Sequence, residues 1–150
     1  MALFVINEWL WHDVSGQNQA TAQRQALDFI ERFAASEHQV VIIEGSQFDQ
    51  KMWANHWSDK TTARLIARLF FGSVRENLDR CRVLKPEAVS PPPEELSSSV
   101  NPDDHYLICA QLSVPGAVLV TTDTQHRERA TQAGLPCLSR EEFLNTYFGT

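Results

Sequence analysis

The stretch DDHYLICAQLSVPGAVLVTTD, residues 103–123, decides the fold of this 150-residue chain. It opens with Asp103 and Asp104, runs on as an apolar helix-like segment, turns at Pro115-Gly116, and ends in a β-rich run closing on Asp123. A helix over 103–113 would measure about 16 Å at roughly 1.5 Å per residue. A strand over 117–122 would measure about 20 Å at roughly 3.3 Å per residue. The turn reverses the chain, so the start of the helix should lie near the end of the strand. Asp104 and Asp123 are therefore expected to meet.

Working outward, ALFVI (2–6) and VVII (40–43) are continuous apolar runs of the kind shown by strands buried on both faces. The first stops at Asn7-Glu8 and the second at Glu44-Gly45-Ser46. Trp9 and Trp11 read as packing residues rather than a base-stacking platform. Ala22, Ala26, Phe29, Ile30 and Phe33 make one apolar stripe of a helix over 18–36. Gly45 and Ser46 announce a short helix carrying Phe48, Asp49, Lys51 and Met52. Ser58-Asp59 is expected to cap a helix over 60–71, with Leu65, Ile66, Leu69 and Phe70 as its buried side and Gly72 as its stop. Arg64 and Arg68 share the other face. A further helix is expected over about 73–82, with Val74, Leu78 and Cys81 inward.

The run PEAVSPPPEELSSSVNP (86–102) reads as a long connection with at most a helical turn around Glu94–Leu96. After Asp123 the pattern predicts a helix over 125–133 stopped by Gly134, a short strand at LPCL (135–138), and a last helix from Arg140 to Tyr147. Ser139 and Glu142 stand in capping-box spacing at its start. Alternation of strands and helices predicts one domain over 1–150, a three-layer α/β/α fold with a central, mostly parallel sheet.

The net charge of −6 argues against general nucleic-acid affinity but hides an asymmetry. Residues 51–85 hold eight Lys/Arg against three acids, a net of +5; the remainder holds five against sixteen, a net of −11. An acidic body with one basic segment can hold a polyanion locally, although a charge run is most often a solvated face. Cys81, Cys109 and Cys137 form no C-x-x-C pair, so neither a zinc site nor a disulfide framework is expected. No targeting segment is read and no apolar run approaches the ~20 residues of a membrane span. A soluble, cytoplasmic protein is expected.

In parallel sheets, ligands bind beyond the carboxyl ends of the strands. Asn7-Glu8, Glu44 and Asp123 all follow strand runs, and Asp104 joins them through the helix reversal. Clustered carboxylates repel one another unless a cation neutralises them. Mg²⁺ suits such a site, with one or two carboxylates and the rest water and substrate phosphate. The chemistry implied is metal-assisted phosphodiester hydrolysis. Each acid also has an ordinary structural use: Asp103 and Asp104 suit a helix start, Asp123 can cap the next helix, Glu8 can be a loop acid, and Glu44 can pair with a surface cation. The five histidines show no i, i+4 ligand pair, and no G-x-S-x-G, P-loop or G-x-G-x-x-G occurs.

On these residues the chain resembles the PIN-domain family, metal-dependent ribonucleases that include VapC-type toxins of toxin–antitoxin pairs. DDHYLICAQLSVPGAVLVTTD is similar to the family's acid-led helix, short turn, strand and terminal Thr-Asp; the closing EEFL and the early ALFVIN also look like it. The resemblance implies an Mg²⁺- or Mn²⁺-dependent endoribonuclease in which Asp104 and Asp123 are metal-site acids. Asn7 stands where the family's first-strand aspartate falls, an amide in place of a charge. For the remaining acid, Glu44 lies slightly early and Asp49 nearer to the family's position; Glu8 and Asp103 are secondary candidates. Lys51, Arg64 and Arg68 are RNA-backbone contacts by position. The partners implied are an RNA substrate, an antitoxin protein and a second copy of the chain. The alternative is a catalytically weakened PIN-like module that binds RNA or protein, and Asn7 is the feature that discriminates the two.

Overall fold

Apolar runs that bury both faces of a strand require helices on both sides of the sheet, and the chain supplies them. In the computed structural model, which describes residues 1–149, the strands are β1 (Leu3–Ile6), β2 (Gln39–Ile43), β3 (Cys81–Leu84), β4 (Val118–Val120) and β5 (Cys137–Leu138). They form one sheet in the order β3-β2-β1-β4-β5, every neighbouring pair parallel. The helices are α1 (Trp9–Ser15), α2 (Gln19–Ala34), α3 (Gln47–His56), α4 (Thr61–Phe70), α5 (Glu94–Ser99), α6 (His105–Ser113), α7 (Thr124–Gln132) and α8 (Arg140–Phe148). The result is a three-layer α/β/α sandwich.

Strand alternation sorts the two layers. Phe4, Ile6, Val40, Ile42 and Val120 point to one side, where they pack with Trp11, Phe29, Phe33, Met52, Ala67 and Phe143 of α1–α4 and α8. Val5, Val41, Ile43 and Leu119 point to the other, against Leu107 and Ala110 of α6 and Ala130 of α7. Phe4 meets Phe143 edge to face at 4.8 Å, and each fully buried side chain of this kind stabilises by roughly 1.5–3 kcal/mol. Trp9 and Trp11 are core residues, 5% and 1% exposed. α8 begins with the expected capping box of Ser139 and Glu142, and Gly116 makes the turn before β4 at φ +88°.

Three local expectations are corrected. The helix over 73–82 does not form: a π turn at Phe71–Arg75 ends α4, and Cys81–Leu84 becomes β3, paired with Val40–Ile43. Leu78, expected inward, is 86% exposed, whereas Cys81 is buried in the sheet. On α4 the buried face is Ala63, Ile66, Ala67 and Phe70, leaving Leu65 and Leu69 outside. The two alanines permit a close helix approach that the bulkier leucines would block. The connection from Pro86 to Pro102 contains a short 3₁₀ turn and α5, whose Leu96, with Val100 after it, packs on Ile108 of α6.

The chain steps outward from β1 to β2 to β3, then crosses back so that β4 lies on the far side of β1. The topology therefore reverses between β1 and β4, and the carboxyl ends of these strands are where parallel sheets of this kind bind ligands.

Candidate active site

β1 ends at Ile6, and Glu8 already has helical backbone (φ −68°, ψ −5°) as the residue before α1. Strand alternation therefore no longer governs Glu8, and its carboxylate reaches the same place as the acids of α6 and β4. Asp104 sits at the junction of a 3₁₀ turn (Pro102–Asp104) with α6. Asp123 follows β4 and caps α7, its Oδ1 accepting the His126 backbone N–H at 3.1 Å. The His126 ring Nδ1 lies 4.0 Å from Asp104 Oδ2. His126 thus lies beside both acids, bonded to Asp123 through its backbone N–H while its ring stands beyond hydrogen-bond distance of Asp104.

The electrostatics match that convergence. Burial pushes the Asp104 carboxyl above the usual carboxylate range, and the charges of Asp123, Glu8 and Asp103 push it further, with His105 opposing. Burial lowers the His126 imidazole below its ordinary value, and its side chain is 1% exposed. Neither His126 ring nitrogen has a hydrogen-bond partner, nor does the buried Tyr106 hydroxyl. Burial raises the Tyr106 phenol, and the charges of Glu8 and Asp104 add to it. Unpaired buried polar atoms cost free energy; Tyr106 and His126 carry three of those found in the described residues, and others lie elsewhere, on Trp11, Gln39, His56, Arg80 and Gln111.

Asn7 serves as a tie rather than an open donor. Its Nδ2 donates to Thr121 Oγ1 at 2.8 Å, and its Oδ1 accepts the Glu8 N–H at 2.6 Å. Thr121, fully buried, also accepts the Asp123 N–H at 3.1 Å. Asn7 and Thr121 together fix the ends of β1 and β4, and so the acids that follow each.

The remaining predicted residues fall elsewhere. Glu44 follows β2 as expected, but it is exposed and pairs with Lys85 at 2.8 Å. Asp49 is 2% exposed and locked: Arg75 Nε and Nη2 donate to its two oxygens at 2.8 Å each, and Gly45 N–H at 3.0 Å. Asp13 is held likewise by Arg140 and Asn18. Asp103 is exposed beside Asp104. Lys51 Nζ lies 3.1 Å from Glu8 Oε1 and 3.2 Å from His12 Nε2, so this cation stands at the rim. Arg64 and Arg68 instead donate to the carbonyls of Ser58 and His56 at the far end of α3.

The structure therefore brings together Glu8, Asp104 and Asp123, with Asn7 supporting them and Lys51 beside Glu8. Tyr106 and His126 were missed by sequence reasoning; the available signal was the Asp123-x-x-His126 cap spacing, which puts the imidazole on the first turn behind the acid. Among the described residues no group of three or more His, Cys, Asp or Glu side chains stands in metal-binding arrangement. Among the described residues no helix is long and apolar enough to cross a membrane. Comparison with protein-family models, with curated proteins and with solved structures gives no match.

Proposed function

We propose that this chain is a PIN-like, Mg²⁺- or Mn²⁺-dependent ribonuclease acting at the β1–β4 switch point. The observation that carries the reading is Asp104, a half-buried carboxylate raised by burial and then by Asp123 and Glu8, with unpaired Tyr106 and His126 nearby. The donor set is all oxygen, and Mg²⁺ asks for only one or two carboxylates with water completing its shell. Asp104 and Asp123 would hold the ion, and Glu8, paired with Lys51, would add its charge nearby. When bound, such an ion supplies Lewis-acid stabilisation of an in-line displacement at phosphorus.

The chain's own residues supply the rest. Asn7 and Thr121 set the spacing of the acids. Burial and the charges of Asp123 and Glu8 raise the Asp104 carboxyl, a repulsion that a bound cation would relieve. Lys51 offers a positive charge to a phosphate from the Glu8 side. Glu44 and Asp49 have no part in this reading. The substrate is RNA, and an antitoxin protein and a second copy of the chain are the partners that the resemblance implies.

A second reading, a module with weakened catalysis that binds RNA or protein, draws support from the Lys51–Glu8 contact. An internal cation that neutralises Glu8 reduces the pull on an external one. One experiment separates the two: cleavage of a single-stranded RNA with and without Mn²⁺, for the parent and for Asp104→Asn, Asp123→Asn and Glu8→Gln. Asp123→Asn keeps a good helix cap while removing the charge. Mn²⁺-dependent cleavage lost by a factor of about 100 or more in Asp104→Asn supports the ribonuclease, since one electrostatic group commonly contributes about that much. No cleavage by the parent protein, or cleavage that survives both aspartate substitutions, refutes it.

A further inference from the structure

The α3–α4 face is built as a docking surface, and we propose that its occupant is an acidic amphipathic helix from a partner protein. Large apolar side chains stand exposed here together: Trp57 at 71%, Leu65 at 60%, Leu69 at 38% and Trp53 at 37%. They are contiguous. Trp53 packs on His56 at 5.0 Å, His56 on Trp57 at 4.9 Å, and the Arg68 guanidinium lies 5.4 Å from the Trp57 ring centre. Leu65 neighbours Arg68 and Leu69 on α4 by helical spacing.

Beside this ridge runs a column of cations. Arg64 and Arg68 stand four residues apart, one above the other along α4, and Lys60 precedes the helix with extended backbone. Among the described residues Lys60, Arg64 and Arg68 make no salt bridge, as is also true of Arg80 and Arg82, while Lys51, Arg75 and Lys85 of the same basic segment are each paired with an acid. Arg64 and Arg68 each spend one donor on a backbone carbonyl. That bond orients the guanidinium and leaves further N–H groups available.

Two parallel columns, one apolar and one cationic, are complemented by an amphipathic helix carrying leucine-type and carboxylate side chains in adjacent columns. A second copy docking the same face by a two-fold axis would bring like charges together. Single-stranded RNA would use the tryptophans and arginines but gain nothing from exposed Leu65 and Leu69. The proposal uses none of Glu8, Asp104 and Asp123 and so is independent of the ribonuclease reading.

The test uses the full chain and a fluorescein-labelled synthetic helix with Leu and Glu at i, i+3, i+4 spacing, followed by anisotropy. The expected result is saturable binding, weakened about tenfold or more (about 1.4 kcal/mol) by Arg64→Glu with Arg68→Glu, and likewise by Leu65→Ser with Leu69→Ser. The leucine variant leaves the backbone contacts of the arginines in place and guards against misfolding in the charge variant. The proposal is overturned by no binding, by equal binding of the matching Lys/Leu helix, or by an RNA oligomer binding this face where the acidic helix does not. A parent dimer dissociated by Leu65→Ser would likewise overturn it, assigning the face to a second copy.

Discussion

Replacing Asp49 with Asn separates a structural acid from a catalytic one. Asp49 and Arg75 have side chains 3% and 14% exposed and share two bonds of 2.8 Å. The hydrogen bond to Asp49 raises the Arg75 guanidinium above its already high value. Asn keeps the size and one acceptor, but it leaves a guanidinium almost out of water with no counter-charge. Breaking a buried pair in this way costs about 3–5 kcal/mol. For a chain of this length each kcal/mol moves the melting temperature by roughly 2–4 °C, so a fall of about 6–20 °C is expected. In urea the midpoint should drop by about 1.5–2.5 M if the slope is near 2 kcal/mol/M. The double replacement Asp49→Leu with Arg75→Met should recover much of the loss, because it removes both charges together. Glu44→Gln, at an exposed pair, should stay within about 1 kcal/mol of the parent. The reasoning is refuted if Asp49→Asn melts within about 2 °C of the parent.

Other substitutions probe the packing and the site. Leu65→Ser should change stability by no more than about 0.5 kcal/mol, whereas Ala67→Leu should destabilise by about 1–3 kcal/mol through overpacking; denaturation curves showing the reverse order would mean α4 is rotated. Because the Asp104 carboxyl is raised on folding, the native state keeps that proton to higher pH than the unfolded chain does. Stability should therefore fall as pH rises from the ordinary carboxylate value through the raised one, and Asp104→Asn should remove that fall; parallel melting curves against pH for parent and variant would contradict the assignment. Burial pushes the Cys81 thiol up to about 12, so alkylation of the native protein at mildly alkaline pH should spare Cys81 until the chain unfolds. Equal labelling of Cys81, Cys109 and Cys137 in a peptide map would show that β3 is open.

β1, β2 and β4 were legible in sequence as apolar, β-rich runs and β5 as the short LPCL segment, and from them the parallel sheet followed. β3 was hidden because Val74, Leu78 and Cys81 mimic helical spacing, while only four residues, Cys81–Leu84, enter the ladder. Periodicity also misplaced the inner face of α4: it weighs Leu65 and Leu69 above Ala63 and Ala67, yet the alanines allow the closer approach. Asp104 and Asp123 were legible by turn geometry alone. Glu8 was placed second because alternation was carried one residue beyond the end of β1. The locking of Asp49 was illegible, since its partner Arg75 lies 26 residues away on a segment expected to expose it.

The sheet's two margins have a consequence for how this protein behaves when crowded. A free strand edge is a template for another chain, but β5 has two residues and follows Pro136, which has no N–H to offer. At the opposite margin, β3 is four residues long with Arg82 exposed and Lys85 just beyond. Neither border offers a long, flat, uncharged ladder, so ribbon-to-ribbon polymerisation is disfavoured at both sides by the shortness of these strands.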